Sequence, residues 1–213
     1  MYFLLYSLFL VATYGMVQKN LQTAPFYLII KASNHSINND LLTSCHEGAA
    51  VEGLCLTKPL SGSGSMYTLN YSSQGSTNQG LGTSGVLTWI LQIHKVDISS
   101  SMKLKYTPIS NVAVPLFTSS ESSTEVGFDD ENQMFIPGSF DDRNPYVVIS
   151  TPAQAIPKPF YRWFVCETNA GYSYQTLAWV LGIDLPPQNP SCQKVDVKRS
   201  FVQPCVTSEQ ILV

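Results

Sequence analysis

Charge is scarce in this chain. Asp, Glu, Lys and Arg make up 13% of its 213 residues, about half the usual share of roughly 25%. Only 12 of them are Lys or Arg, and no basic cluster exists. That excludes the electrostatic footprint of a nucleic-acid binder. A long apolar run is also missing. The apolar stretch from Tyr2 to Tyr14 falls short of the roughly 20 residues that a bilayer span needs. Familiar catalytic signatures are absent too. There is no Gly-x-Ser-x-Gly elbow, no phosphate loop with its lysine, no Cys-x-x-Cys and no His-x-x-x-His. His35, His46 and His94 show no metal-ligand spacing, and no pair of carboxylates stands out as a glycosidase dyad. The paired aspartates of GFDDEN and SFDDRN lack the ligand order of a calcium loop. They read as polar turns flanking the strand QMFIP, and no metal is expected.

What is present points to the secretory pathway. The Tyr2–Tyr14 run followed by small residues fits the apolar region of a signal peptide, so residues 1–15 are expected to be removed. Residues 16–213 then form a single β domain. Two N-glycosylation sequons start at Asn34 and Asn70. The five cysteines, Cys45, Cys55, Cys166, Cys192 and Cys205, suit disulfides in an oxidising compartment. Cys45 with Cys55 makes a local loop. Cys166 with Cys192 is the next pairing, leaving Cys205 over, although the second bridge could use Cys205 instead.

Strand signals recur along the chain. FYLIIKAS, VEGLCLTK, MYTLNYS, GVLTWILQIHKV, MKLKYTPI, NVAVPLFT and YVVIST are rich in aromatic and β-branched residues and bounded by Gly, Pro, Ser and Asn. YRWFVCET and YSYQTLAWVLG are joined through Asn169-Ala170-Gly171, which reads as a hairpin turn. No amphipathic helix stands out. About ten short strands imply an all-β chain, most simply a sandwich or jelly roll. A closed β-barrel with a ligand cavity is the alternative.

Within the hairpin, strict alternation puts Trp163 and Val165 on one face and Arg162, Phe164 and Cys166 on the other. Leu177, Trp179 and Leu181 lie opposite Tyr172, Tyr174 and Thr176. Both faces are too apolar for either simply to meet water. An arginine in such a strand either leaves the core face or faces a polar cavity, where it needs a partner or an anionic oxygen.

The segment Cys45-His46-Glu47-Gly48-Ala49-Ala50 after the FYL strand, then WFVC and later QTLAW, resembles a family of small secreted fungal β proteins. The chain also resembles the fungal hetero-Diels–Alderases of tropolone–sesquiterpenoid biosynthesis. That resemblance implies a meroterpenoid cyclase of secondary metabolism. It would join a tropolone-derived o-quinone methide to the alkene of a humulene-type sesquiterpene. Such chemistry needs no cofactor. It needs two small apolar substrates held in one near-attack pose, and a donor at the polarised oxygen. By residue type and strand position, Arg162 with Tyr172 or Tyr174 are the expected donors and His94 an acid or base. Trp89, Trp163 and Trp179 would be walls, though core is the default place for an aromatic ring in a β protein. The contrasting expectation is a non-catalytic secreted glycoprotein serving as a cell-surface, carbohydrate-binding or effector-like module. A homodimer is the one assembly left open.

Overall fold

The computed structural model describes residues 20–59, 64–72, 81–93, 96–119, 122–139 and 157–203. The N-terminal apolar run, His94, YVVIST, the Asp141-Asp142 turn and Cys205 lie outside the described residues. Fifteen strands are present among the described residues. They are β1 (Asn20–Gln22), β2 (Phe26–Lys31), β3 (Leu41–Gly48), β4 (Val51–Thr57) and β5 (Tyr67–Ser72), then β6 (Thr83–Ile93), β7 (Val96–Lys105) and β8 (Val112–Thr118). They continue with β9 (Glu125–Phe128), β10 (Met134–Gly138), β11 (Lys158–Phe160), β12 (Trp163–Asn169), β13 (Ser173–Val180), β14 (Gln193–Lys194) and β15 (Asp196–Phe201).

All of them join one hydrogen-bonded sheet, and eight close on themselves. The ring runs β5, β2, β3, β4, β13, β8, β7, β6 and back to β5, with every pairing antiparallel. The all-β expectation holds, in the form of a barrel rather than a two-sheet sandwich. Closure is made by β5 and β6, where Tyr67 pairs with Trp89 and Leu69 with Leu87. A closed ring leaves none of these strands with an open edge. The remaining strands pack outside the ring. β12 lies along β13, β15 along β2, and β9 along the first half of β6.

One junction is irregular. β4 and β8 pair directly at Glu52–Phe117 and Gly53–Leu116. Beyond that point β13 wedges between them, with Thr176 opposite Cys55 and Trp179 opposite Ala113. This fork explains why SYQTLAWV is so apolar. Thr176 to Val180 are five consecutive buried residues, so both faces of that stretch are covered.

The core is one continuous cluster. Phe26, Leu28, Ile30, Leu42, Leu54, Tyr67, Leu69 and Leu87 are buried, together with Met102, Phe117, Trp163 and Trp179. Tyr67 stacks on Phe117 with centroids 5.6 Å apart, and its hydroxyl donates to the Leu42 carbonyl at 3.2 Å. Burial of that hydroxyl pushes its pKa up. Side chains of this size fill the ring as they do in other narrow barrels.

Two disulfides staple the sheet, Cys45–Cys55 across the β3–β4 pair and Cys166–Cys192 between β12 and the loop before β14. Both are the pairings expected from the sequence. The strand count is higher than expected for two reasons. β1, β11 and β14 are only two or three residues long. And β3, LLTSCHEG, carries too many polar residues to read as a strand alone. Its register with β4 and its disulfide hold it extended.

Candidate functional site

A built-up surface feature lies where β12 begins and β13 ends. The backbone of Arg162 extends the β12–β13 ladder, since the Val180 N–H donates to its carbonyl at 3.0 Å. The chain then turns at Gly182, where φ is 78°, a conformation that suits glycine. The loop Ile183-Asp184-Leu185-Pro186-Pro187 follows. Its two prolines donate no backbone N–H, so this loop cannot tie itself down by its own ladder.

Arg162 supplies the ties instead. Its Nε donates to the Val180 carbonyl at 2.9 Å, one terminal nitrogen to the Ile183 carbonyl at 2.5 Å, and the other to the Leu185 carbonyl. Asn111 clamps the far side. Its Nδ2 donates to the Pro186 carbonyl at 2.8 Å, and its Oδ1 accepts from the Gln188 N–H at 2.9 Å. The planar guanidinium fork suits three divergent carbonyls in a way an ammonium does not.

A groove of about 560 Å³ runs along this loop. Pro159, Phe160, Tyr161, Phe164, Pro186 and Pro187 form apolar walls, Arg162 and Lys194 bring in positive charge, and Asp184 brings in a carboxylate. That volume is in the range of small-molecule sites. Lys194 sits on β14 opposite Phe164. Its ammonium donates to the Tyr161 carbonyl and lies 5.2 Å from the Phe164 ring centroid. Burial lowers the pKa of both cations. Asp184 partly offsets this at Arg162, and Asp196 does so at Lys194, where the Arg162 charge lowers it further. A lysine whose pKa is lowered is a stronger acid and hydrogen-bond donor than an ordinary one. The Tyr161 hydroxyl donates to Asp129 Oδ2 at 2.9 Å. Burial, then that bond and the nearby negative charges, push its pKa up to about 12. Tyr161 is therefore a neutral hydrogen-bond donor at neutral pH.

The other expected site residues are dispersed. Trp163 and Trp179 are 0% and 7% exposed and meet edge-to-face with centroids 4.8 Å apart. The Trp163 indole N–H donates to the Met134 carbonyl at 2.9 Å. They are core, not groove walls, because β12 and β13 turn that face inward. Trp89 lines a different groove, of about 600 Å³, with Pro25, Met66, Thr68, Thr88, Ile90 and Asp97. That groove shares no residue with the one at Arg162. Tyr172 and Tyr174 lie at the hairpin tip, a strand length or roughly 20 Å from Arg162. The structure therefore does not bring the tyrosines to the arginine.

At that tip a second polar group forms. His46 and Glu52 face each other across the β3–β4 pair, with Nδ1 3.5 Å from Oε1. Burial pushes the Glu52 carboxyl up. The hydrogen bond and charge of His46 oppose this, and the Glu47 charge adds to it. A carboxyl raised in the folded state holds its proton there longer than in the unfolded chain. Stability from this group thus falls as pH rises from about 4.5 through the folded-state value. Glu52→Gln should flatten that part of the profile, which melting curves between pH 4 and pH 7 will show. An unchanged slope would contradict this.

Asp129 belongs to the GFDDEN segment that reads as a polar turn, whereas Asn111 and Lys194 have no signature in the sequence. Their only local hint is the proline-rich loop, whose carbonyls must find donors elsewhere. Asp129 is a turn residue, its Oδ1 accepting from the Glu131 and Gln133 N–H groups at 3.0 and 2.8 Å.

The chain belongs to the DUF7907 family, described as a domain of unknown function, and the match covers residues 23–201. No curated protein and no solved structure matches it.

Proposed function

We propose that the protein is a cofactor-independent hetero-Diels–Alderase whose substrates lie in the Arg162–Lys194 groove. The reaction joins a tropolone-derived o-quinone methide to a humulene-type sesquiterpene. The observation that supports this most is the convergence of two cationic donors on one ring-walled groove. The walls suit two apolar partners, and holding both in one pose supplies much of the rate gain in such a cycloaddition. Lys194 or a remaining Arg162 N–H donates to the heterodiene oxygen as negative charge grows there. The test is incubation of the purified protein with generated quinone methide and humulene. A faster reaction and a single stereoisomer are expected. Yield and stereochemistry equal to the protein-free mixture would end this reading.

A second reading has its own support. The barrel ring is filled by Tyr67, Phe117 and their neighbours, which favours a non-catalytic secreted glycoprotein. Secretion is in keeping with the two disulfides. Under either reading Asn34 is the better glycan site. It is exposed, its Oδ1 accepts from the N–H and hydroxyl of Ser36, and its Nδ2 donates to Gln193 Oε1 at 2.6 Å in an exposed contact. Asn70 is paired within β5 and its Nδ2 donates to Thr88 Oγ1 at 3.0 Å. Glycopeptide mapping of secreted protein should find Asn34 occupied and Asn70 bare. The reverse would contradict this assignment.

A further inference from the structure

The tips of two hairpins meet at the fork where β13 enters the ring, and they present a row of rings. Tyr172 is central. Its ring centroid lies 5.5 Å from that of His46 and 6.2 Å from that of Tyr174. Tyr172 is 51% exposed and the His46 side chain 56%. Glu52, on the same face as His46, lies at the edge of the row.

The row is held rather than loose. The backbone N–H of Tyr172 donates to Oε2 of Glu47 at 2.9 Å. Glu47 is itself only 4% exposed, and its Oε1 is buried with no hydrogen-bond partner among the described residues. Gly171 packs so closely on the Glu47 carbonyl that a Cβ there would come within 2.0 Å of it. Burying a carboxylate with one oxygen unsatisfied is costly. What that arrangement secures is the position of the Tyr172 backbone, and so of the exposed ring.

From this geometry we infer that the His46–Tyr172–Tyr174 row binds a neutral pyranose oligosaccharide. Aromatic rings of mixed polarity offer an apolar face with a polar handle. A sugar ring offers the complement, a C–H face with a hydroxyl rim. The tyrosine hydroxyls, the outer nitrogen of His46 and the Glu52 carboxylate supply donors and acceptors at the row's edge. Charge disfavours the other ligands that stack on rings. Glu47 and Glu52 beside the row outnumber Lys105, whose ammonium donates to the Ala170 carbonyl at 3.3 Å, and with a formal charge of −3 overall they oppose a phosphate backbone. Three side chains are also too small a patch for a stable protein partner, which buries about 800 Å² per side.

The experiment is calorimetric titration of the full secreted chain with three neutral hexasaccharides, a β-glucan, a mannan and a chitin oligomer. A sulfated glucan serves as the anionic control. Binding of at least one neutral probe is expected. Tyr172→Ala should weaken it roughly tenfold or more, and Tyr172→Phe should keep most of it. Near-UV circular dichroism and the melting midpoint establish that each variant is folded. No binding of any neutral probe at millimolar concentration would overturn the inference. So would binding that Tyr172→Ala leaves intact, or preference for the sulfated probe. Because the row and the Arg162 groove share no residue, these outcomes are independent of the cycloaddition assay.

Discussion

Trp163→Ala is expected to lower the melting midpoint by roughly 10 °C. Truncating a buried tryptophan costs about 3–5 kcal/mol, and a chain of this size loses about 2–4 °C per kcal/mol. Three separate losses combine at this residue. The edge-to-face contact with Trp179 goes, a cavity opens in the cluster, and the Met134 carbonyl loses its indole donor. That last bond ties β12 to β10, two strands that do not pair with each other in the sheet. Trp163→Phe should recover the packing but not the bond, and so fall between the two. Differential scanning calorimetry checks both. A midpoint for Trp163→Ala within two or three degrees of the parent would contradict the placement of this ring in the core.

Arg162→Ala is expected to have the largest effect on cycloaddition, about a hundredfold loss in kcat/KM. A single preorganised donor at a developing oxyanion is worth on the order of 10²–10³ in rate. The guanidinium also fixes the Ile183–Pro187 wall through three carbonyls, so its removal lets that wall move. The cost to stability should be smaller, about 2 kcal/mol, because the carbonyls are near the surface and water can replace the lost donors. Arg162→Lys separates the two roles. It keeps the charge and loses the fork, so the wall should loosen while a cation stays in the groove. Unchanged turnover in a folded Arg162→Ala protein would remove this residue from the site.

Much of the fold is legible in the sequence. Alternation in FYLIIK gives the inward face of Phe26, Leu28 and Ile30. Alternation gives the faces of Trp163 and Val165 and of Leu177 and Trp179, but the turn falls one residue later than the sequence suggests, over Ala170–Tyr172, and this sets Trp163 against Trp179 and Val165 against Leu177. The alternation is informative because a strand's side chains have a period of two, and a one-residue slip would invert the faces. Barrel closure is less legible. It depends on β2 meeting β5 and on β13 wedging between β4 and β8, and neither pairing is local. The polar strand β3 is hidden for the same reason, since its neighbours rather than its own residues keep it extended.

The site is legible only in part. Arg162 stands out as an arginine in an apolar strand, and it does reach a groove. Its neighbours there do not stand out. Lys194 lies more than thirty residues further along and is brought in by a two-residue strand. Tyr172 and Tyr174 look close to Arg162 in the sequence because a hairpin is short. In space a hairpin puts its tip a full strand away from its base. The same geometry that denies them to the groove gathers them with His46 at the fork.

The most direct measurement for the central claim uses the substrate's own reactivity. An o-quinone methide generated without terpene is an electrophile. The amine of Lys194 can add to its exocyclic carbon, forming a C–N bond while a proton passes from nitrogen to the tropolone oxygen. A lowered pKa gives Lys194 more neutral amine at a given pH than exposed lysines have. If the groove is the site, peptide mapping will find the adduct first at Lys194, and saturating humulene will suppress it there. Labelling spread evenly over surface lysines such as Lys31, Lys58 and Lys103, with no protection by humulene, would contradict the account.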